Sequence, residues 1–170
     1  MIVALIGLMG SGKSTVGEIL AKKLHLDFID LDEIIAQGEG KSIVEIFEQK
    51  GEGYFRKLEH LYLKSILSQS YIVLATGGGA PTFDNNMMLL KEKSKTVFLH
   101  TSVETLVNRL AEGALKRPLL KGLTEEEQQA KLSELLEARL PVYQQANIRI
   151  DTNDKTPEEI VSEIVLRLGL

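Results

Sequence analysis

The sequence predicts an α/β fold with three layers, α/β/α, in which a five-stranded parallel sheet is flanked by helices. Short apolar runs, typical of strands buried on both faces, alternate with longer segments whose apolar residues recur at helical spacing. A glycine-rich stretch also lies between the first apolar run and the first helical segment. Because strands joined through helices run parallel, we expect their carboxyl ends to share one edge of the sheet.

The glycine-rich stretch covers residues 7–14, Gly-Leu-Met-Gly-Ser-Gly-Lys-Ser, and matches the P-loop pattern G-x-x-x-x-G-K-[ST]. A strand over residues 2–6 precedes it, and a helix that ends near Leu24 follows it. The loop amides would surround phosphate oxygens, Lys13 would reach the β- and γ-phosphates, and the Ser14 hydroxyl would bind Mg²⁺. The stretch therefore predicts binding of a nucleoside triphosphate.

Composition narrows the class of protein. The chain has 170 residues, which suits one domain, and its net charge of −4 without a basic block argues against a nucleic-acid surface. It contains no cysteine, which excludes disulfides, thiolate metal sites and cysteine nucleophiles. The apolar N-terminus breaks at Gly7 without a basic leader, and no apolar run approaches the ~20 residues of a membrane span. We expect a cytoplasmic protein.

Further strands and helices continue the alternation. We expect strands over residues 27–32, 71–75, 96–99 and 147–151, the last near an edge of the sheet because it contains an arginine.

Helices are expected after three capping sequences and over two other segments. The capping residues are Ser42, Thr124 and Thr156, and the two other segments are residues 54–67 and 103–110. In the helix over 54–67 we expect Leu61 to face inward together with Phe55, Leu58, Tyr62 and Ile66. The helix after Thr124 should run towards Arg139 and be interrupted at Pro141.

Three unusual stretches follow the first three strands. They are the P-loop, the acids Asp30 and Asp32, and the three glycines at 77–79. Ligands of parallel sheets bind beyond the carboxyl ends of the strands, so these stretches should meet at one site. If the second strand stays extended, the two acids share a face, and one can face Mg²⁺ while the other faces an acceptor.

Three classes of P-loop protein fit the motif: a small-molecule kinase, a GTPase switch, and an ATPase motor or binding module. A GTPase should carry N-K-x-D, but residues 153–155 read Asn-Asp-Lys, in the wrong order. A motor ATPase places an apolar strand ending in Asp-Glu well after the P-loop, whereas Asp32 and Glu33 end the very next strand. The small chain instead favours a kinase that acts on a metabolite.

A metabolite kinase must also hold its acceptor and cover the phosphoryl group with positive charge. Arg56 could clamp an acidic substrate, with Glu59 three residues on to orient it. Lys116 and Arg117, on a basic loop broken by proline, could close over the phosphates.

With these residues assembled, the sequence resembles the shikimate kinases. The resemblance is an ordered set of motifs spread over most of the chain: residues 7–15, Asp30-Leu31-Asp32, G-E-x-x-F-R-x-x-E at 51–59, the glycines at 77–79, Arg-Pro-Leu-Leu at 117–120, and Arg139 followed by Tyr143.

The resemblance implies transfer of the ATP γ-phosphate to the 3-hydroxyl of shikimate, giving shikimate 3-phosphate in the chorismate and aromatic amino acid pathway. It implies catalytic roles for Lys13, Asp32 and Arg117. It implies nucleotide contacts from Gly10, Ser11, Gly12, Lys13, Ser14, Thr15, Arg109 and Arg117, with Arg109 stacked on adenine. It implies shikimate contacts from Asp32, Arg56, Gly77, Gly78, Gly79 and Arg139, and Mg²⁺ held by Ser14 and, through water, Asp30.

The resemblance also implies one kinase domain over residues 1–170. Its core would be residues 1–32, 71–110 and 147–170, its substrate-binding region 33–61 and its mobile lid 111–123. Shikimate and ATP would be the partners of a monomer, without nucleic acid or membrane. Two alternatives stay open: a kinase for another small metabolite, such as gluconate or a nucleoside monophosphate, and a regulatory module that binds nucleotide without catalysis.

Overall fold

The computed structural model describes residues 1–110 and 117–170. Its five strands are β1 (Ile2–Ile6), β2 (Asp27–Asp30), β3 (Ile72–Ala75), β4 (Lys95–His100) and β5 (Ile148–Asp151). They form one parallel sheet, as predicted, and their order in the sheet is β2-β3-β1-β4-β5. The helices are α1 (Lys13–Leu24), α2 (Leu31–Glu39), α3 (Ile43–Lys50), α4 (Glu52–Ile66), α5 (Asn86–Lys93), α6 (Val103–Leu110), α7 (Glu125–Tyr143) and α8 (Pro157–Leu168), with a 3-10 turn at Ala80–Thr82.

The central strand β1 sets the position of the P-loop. All five of its residues are buried, since it pairs with β3 on one side and β4 on the other. Leu5 is in register with Ala75, and Ala75 with Asp30. The P-loop, the three glycines and the acidic pair therefore leave the same edge of the sheet, as predicted.

Apolar side chains cover both faces of the sheet and make the three layers. One face packs against α1 and α8 and includes Val3, Leu5, Val16, Leu20, Ile160 and Ile164. The other packs against the remaining helices and includes Ala4, Ile6, Leu31, Leu63, Phe98 and Tyr143. The strand β5 lies at the edge, as predicted, and its Arg149 is exposed.

The second strand is shorter than predicted. It ends at Asp30, and α2 begins at Leu31 because the Asp30 side chain accepts a hydrogen bond from the Asp32 amide and so caps the helix. The expectation that Asp30 and Asp32 share one face of an extended strand is wrong, because Asp32 lies in the first turn of a helix.

Three other local predictions also differ from the structure. Helix α5 has no counterpart in the sequence prediction. Helix α7 continues through Pro141 to the fully buried Tyr143, so the expected interruption is wrong; packing of the last turn outweighs the hydrogen bond that proline removes. Leu61 is 62% exposed and does not face inward.

Of the predicted lid at 111–123, residues 111–116, which include Lys116, lie outside the described residues. The rest, residues 117–123, carries the fully buried Leu120. None of the helices in the described part of the chain is both long enough and apolar enough to cross a membrane.

Candidate active site

The P-loop wraps around the Lys13 ammonium group. Helix α1 begins at Lys13, and the preceding Gly12 has a φ of 90°, a left-handed conformation that favours glycine. Lys13 Nζ donates to the carbonyls of Gly7 and Leu8, each at 2.9 Å. Burial, helped by the nearby Arg117 charge, lowers the pKa of Lys13 to about 8 against the opposing effect of Asp32. The cation is therefore held in place before any phosphate arrives.

Asp30 connects the P-loop to the acidic pair. The Ser14 hydroxyl donates to Asp30 Oδ2 at 2.6 Å, while Asp30 Oδ1 accepts from the Asp32 amide at 3.0 Å. These are hard oxygen donors beside the loop that would hold the phosphates. Within the described ranges, no three acidic, histidine or cysteine side chains cluster as metal ligands. Magnesium in kinases commonly takes one or two protein oxygens plus phosphate and water, so this pair fits it.

Asp32 lies among cations. Burial raises the pKa of its carboxyl group, and the neighbouring Asp30 charge raises it further, against Lys13, Arg117 and Arg56. Its Oδ1 atom is buried without a hydrogen-bond partner in the part of the chain that the structure describes. A buried carboxylate oxygen without a partner is suited to accept a hydrogen bond from a ligand hydroxyl.

Arg56 is held between two carboxylates of its own helix. It forms ion pairs with Glu52, at 2.9 Å, and with the fully buried Glu59. Burial raises the pKa of Glu59 to about 7, against the lowering effect of Arg56. The expectation that Glu59 orients Arg56 agrees with this contact. Glu59 Oε1 has no hydrogen-bond partner among the described residues.

Arg139 reaches the same place from α7. Only 8% of Arg139 is exposed, and its Nη1 atom has no hydrogen-bond partner among the described residues. This atom lies 3.3 Å from the position that a β-carbon on Gly78 would take. Two arginines far apart in the sequence thus line one pocket.

The glycine wall, residues 77–79, lies against the side chains of Glu59, Arg139 and Arg56. A β-carbon on Gly79 would lie 2.3 Å from Arg56 Cζ, and one on Gly77 would lie 2.3 Å from Glu59 Oε1. Glycine is therefore required at both positions for the charged groups to approach the backbone. Tyr143 donates a hydrogen bond of 2.5 Å to the Gly78 carbonyl from behind the wall.

Two adjoining pockets meet at this edge of the sheet. The smaller has about 430 Å³ of empty space, which includes open solvent, and is lined by Arg56, Arg139 and the glycine wall. The larger has about 1530 Å³ of empty space, which also includes open solvent, and follows the P-loop. Asp32 and Arg117 line both pockets and mark their junction. The smaller space suits a small anionic molecule, and the larger suits a nucleotide.

The predicted nucleotide contacts lie around the larger pocket. Its lining includes Gly10, Gly12, Lys13, Ser14, Thr15, Arg109 and Arg117. Ser11, within the loop, is buried, and its hydroxyl oxygen lies 3.5 Å from Lys13 Nζ. Arg109 lies on the rim, where its Nη2 atom donates to the Thr152 carbonyl at 3.2 Å.

Sequence reasoning missed the apolar side of the smaller pocket. Met9, Ile43, Phe47, Phe55 and Leu119 line it. The sequence predicts only that Phe55 faces inward, because no sequence pattern separates an apolar side chain that lines a pocket from one that fills a core. Only the positions of α3 and α4 reveal the difference.

Comparisons with known proteins agree with this geometry. A family model described as shikimate kinase matches residues 9–169. A shikimate kinase of Sulfurihydrogenibium sp. (strain YO3AOP1) is 46% identical over 166 residues, which cover 98% of this chain and 96% of the relative. A shikimate kinase of Persephonella marina is 43% identical over 166 residues, 98% of each chain.

Solved structures agree as well. The shikimate kinase structure from Bacteroides thetaiotaomicron superimposes with a TM-score of 0.94 at 35% identity, covering 100% of this chain and 99% of that one. The Acinetobacter baumannii enzyme in complex with shikimate gives a TM-score of 0.93 at 38% identity, covering 99% and 93%. The chain therefore belongs to the shikimate kinase family and is an ATP-dependent phosphotransferase that acts on shikimate.

Proposed function

We propose that this protein transfers the γ-phosphoryl group of ATP to the 3-hydroxyl of shikimate at the junction of the two pockets. The observation that carries the proposal is that Asp32 and Arg117 line both spaces, one suited to a nucleotide and the other to a small anion. The product is shikimate 3-phosphate, an intermediate in chorismate and aromatic amino acid synthesis.

On the acceptor side, Arg56 and Arg139 bind the shikimate carboxylate. Both guanidinium groups are largely buried, so their attraction to a carboxylate is weakly screened by water. Gly77, Gly78 and Gly79 let the ring approach the backbone closely. The apolar side of the pocket contacts the carbon face of the ring.

On the donor side, Gly10, Ser11, Gly12, Lys13, Ser14 and Thr15 bind the phosphates at the positively polarised start of α1. Arg109 stacks on adenine from the rim. Arg117 stabilises the charge on the transferring phosphoryl group together with Lys13. Arg117 lines both pockets, so it lies where the phosphoryl group would pass from donor to acceptor.

Ser14, and Asp30 through water, would hold Mg²⁺, which would supply positive charge to offset that of the phosphates. The support in this chain is the short contact between the Ser14 hydroxyl and Asp30 Oδ2, which brings two hard oxygen donors together beside the P-loop.

Asp32 orients the acceptor hydroxyl and accepts its proton. Its buried oxygen, which has no partner among the described residues, supplies the acceptor atom, and its raised pKa makes the carboxylate a better base than an exposed aspartate. The nearby Lys13, Arg117 and Arg56 act against that rise in pKa and so favour the ionised form.

We further propose one kinase domain over residues 1–170. Residues 1–32, 71–110 and 147–170 act as its core, residues 33–61 as the substrate-binding region and residues 111–123 as a lid. The protein would work as a cytoplasmic monomer with shikimate and ATP as its partners. The mild net charge of −4 supports the expectation of no nucleic-acid partner.

A coupled assay of ADP release tests the function. The purified protein receives ATP and Mg²⁺ with shikimate, with gluconate, with a nucleoside monophosphate, or with no acceptor. We expect release that depends on shikimate and is at least a hundredfold slower with the other acceptors, because neither provides a carboxylate on a compact ring. Nucleotide binding without acceptor-dependent release would identify a regulatory module instead.

A further inference from the structure

The glycine wall has no side chains with which to pack, so other groups must hold its shape. Two of its carbonyls are bound locally: Gly77 accepts from the Ala80 amide at 3.2 Å, and Gly79 accepts from the Thr82 amide at 3.0 Å and the Thr82 hydroxyl at 2.8 Å. The Gly78 carbonyl is instead reached by a side chain of α7. The Ala80 carbonyl, just after the wall, accepts from the Phe83 amide at 3.3 Å and from a side chain of α5.

Tyr143 holds the middle of the wall. It is fully buried near the end of α7, and its ring packs against Phe98 with centroids 5.1 Å apart. Its hydroxyl donates to the Gly78 carbonyl at 2.5 Å. Burial raises the pKa of Tyr143 to about 12, so the hydroxyl keeps its proton at neutral pH. The ring lies behind the wall and is not among the residues that line the smaller pocket.

Asn86 holds Ala80, the residue that directly follows the wall. This first residue of α5 is fully buried, and its Nδ2 atom donates to the Ala80 carbonyl at 2.7 Å. Because the amide nitrogen is used there, Asn86 Oδ1 faces His60 Nδ1, 2.7 Å away, which carries the proton. His60 follows Glu59 on α4, so this contact joins the wall to the helix that carries Arg56.

Peptide geometry turns these contacts behind the wall into an effect in front of it. A trans peptide is planar, so its N–H points opposite to its C=O. Fixing the Gly78 carbonyl on Tyr143 therefore directs the Gly79 N–H away from Tyr143, towards the pocket that Gly79 lines. Without the contact to Tyr143, the glycine backbone could adopt more conformations than any other residue can. Most of these conformations would turn the Gly79 N–H away from the pocket.

We propose that Tyr143 and Asn86 are positioning residues that hold the glycine wall in the shape that receives the acceptor's carboxylate. The inference rests on the proposed function, because it assigns that carboxylate to the smaller pocket. Neither residue touches the acceptor. Both act through backbone carbonyls, which explains why two buried polar side chains occur behind a wall made of glycine.

Steady-state kinetics of Tyr143→Phe provide the test. The ring and its packing on Phe98 remain, and only the hydrogen bond to Gly78 is lost. We expect the KM for shikimate to rise about three- to tenfold, the effect of losing one hydrogen bond. The KM for ATP should stay within twofold, because Gly79, whose N–H this contact directs, lines the smaller pocket and is not among the residues that line the nucleotide pocket. Asn86→Ala should raise the KM for shikimate in the same selective way.

Thr96→Val is the matched control. It also removes a buried hydroxyl, one that forms a hydrogen bond of 2.9 Å with Asn147. This hydroxyl lies at the beginning of β4, whereas the site lies beyond the opposite, carboxyl ends of the strands. We expect it to lower Tm as Tyr143→Phe does while leaving both KM values unchanged.

A Tyr143→Phe enzyme with the wild-type KM for shikimate would overturn the positioning role, as would equal rises in KM for both substrates. If Asn86→Ala does not fold, Tyr143→Phe decides alone. Each of these results leaves shikimate-dependent ADP release by the wild type untouched. Absence of that release in the wild type would instead refute the proposed function.

Discussion

The guanidinium group of Arg56 lies against the α-carbon of Gly79, so that Arg56 Cζ is 2.3 Å from the place where a β-carbon on residue 79 would be. Two salt bridges to Glu52 and Glu59 keep the guanidinium there. The absence of a side chain at position 79 is therefore a condition for the position of Arg56. Four predictions follow from this and the neighbouring contacts.

Gly79→Ala should displace Arg56. The added methyl group cannot fit beside the guanidinium, and overpacking of this kind costs about 1–3 kcal/mol. We expect kcat/KM for shikimate to fall roughly tenfold or more, mainly through KM, with little change in the KM for ATP. Gly53→Ala is the control: its β-carbon meets open space on α4, so kinetics should be unchanged and Tm slightly higher. An unchanged KM for shikimate in Gly79→Ala would contradict the prediction.

Glu59→Gln should remove a pH dependence of stability. Burial raises the pKa of Glu59 from 4.5 to about 7, so the native state binds this proton more tightly than the unfolded chain does. The stabilisation is complete below pH 4.5 and is lost as the pH rises to about 7. Urea unfolding across this range should show wild-type stability falling relative to Glu59→Gln, by up to roughly 3 kcal/mol.

The matched control for Glu59 is Glu52→Gln. It also removes a carboxylate from Arg56, but one that is 50% exposed. Its stability should follow the wild-type dependence on pH. Parallel curves for wild type and Glu59→Gln would show that burial does not perturb the pKa of Glu59.

Affinity for ATP should fall as the pH rises above about 8. The buried Lys13 of the free protein loses its proton near this pH, whereas bound phosphates favour the charged form. Calorimetric titration should show up to a tenfold loss per pH unit. Lys13→Ala should bind ATP weakly at every pH in this range while keeping its fold. Lys22 is exposed in the last turn of α1, so Lys22→Ala should behave as the wild type. Equal pH dependence in Lys13→Ala would assign the effect to another group.

Asp32→Asn should slow turnover more than it weakens nucleotide binding. The amide keeps the shape of the side chain but cannot take a proton, and loss of a general base costs about a hundredfold or more. We expect kcat to fall by at least that factor while the Kd for ATP changes less than threefold. Asp27→Asn, exposed at the beginning of β2, serves as the control. Equal losses in kcat and ATP affinity would give Asp32 a structural role.

Much of the fold was predictable because each signal was local. The apolar run at Ile2–Ile6, the P-loop and the capping boxes at Ser42, Thr124 and Thr156 each depend on neighbouring residues, and all appear in the structure. Helix α2 was missed although its signals were present. Asp30 reads equally well as the last residue of a strand and as a helix cap, and here it is both.

The candidate site was less accessible to sequence reasoning, because it depends on contacts between distant segments. An arginine near the end of a helix is usually exposed, where it favours the helix dipole. Only the packing of α7 behind the glycine wall buries Arg139 and turns it towards Arg56. Likewise, nothing local in the sequence joins Tyr143 to Gly78.

The Asp30 side chain that caps α2 also connects the phosphate side of the site to the acceptor side. Asp30 gives one carboxylate oxygen to the Asp32 amide and the other to Ser14. One side chain therefore joins the P-loop hydroxyl to the first turn of α2. Rotation of Asp30 would break both contacts at once, the one with Ser14 and the one that caps the helix carrying Asp32.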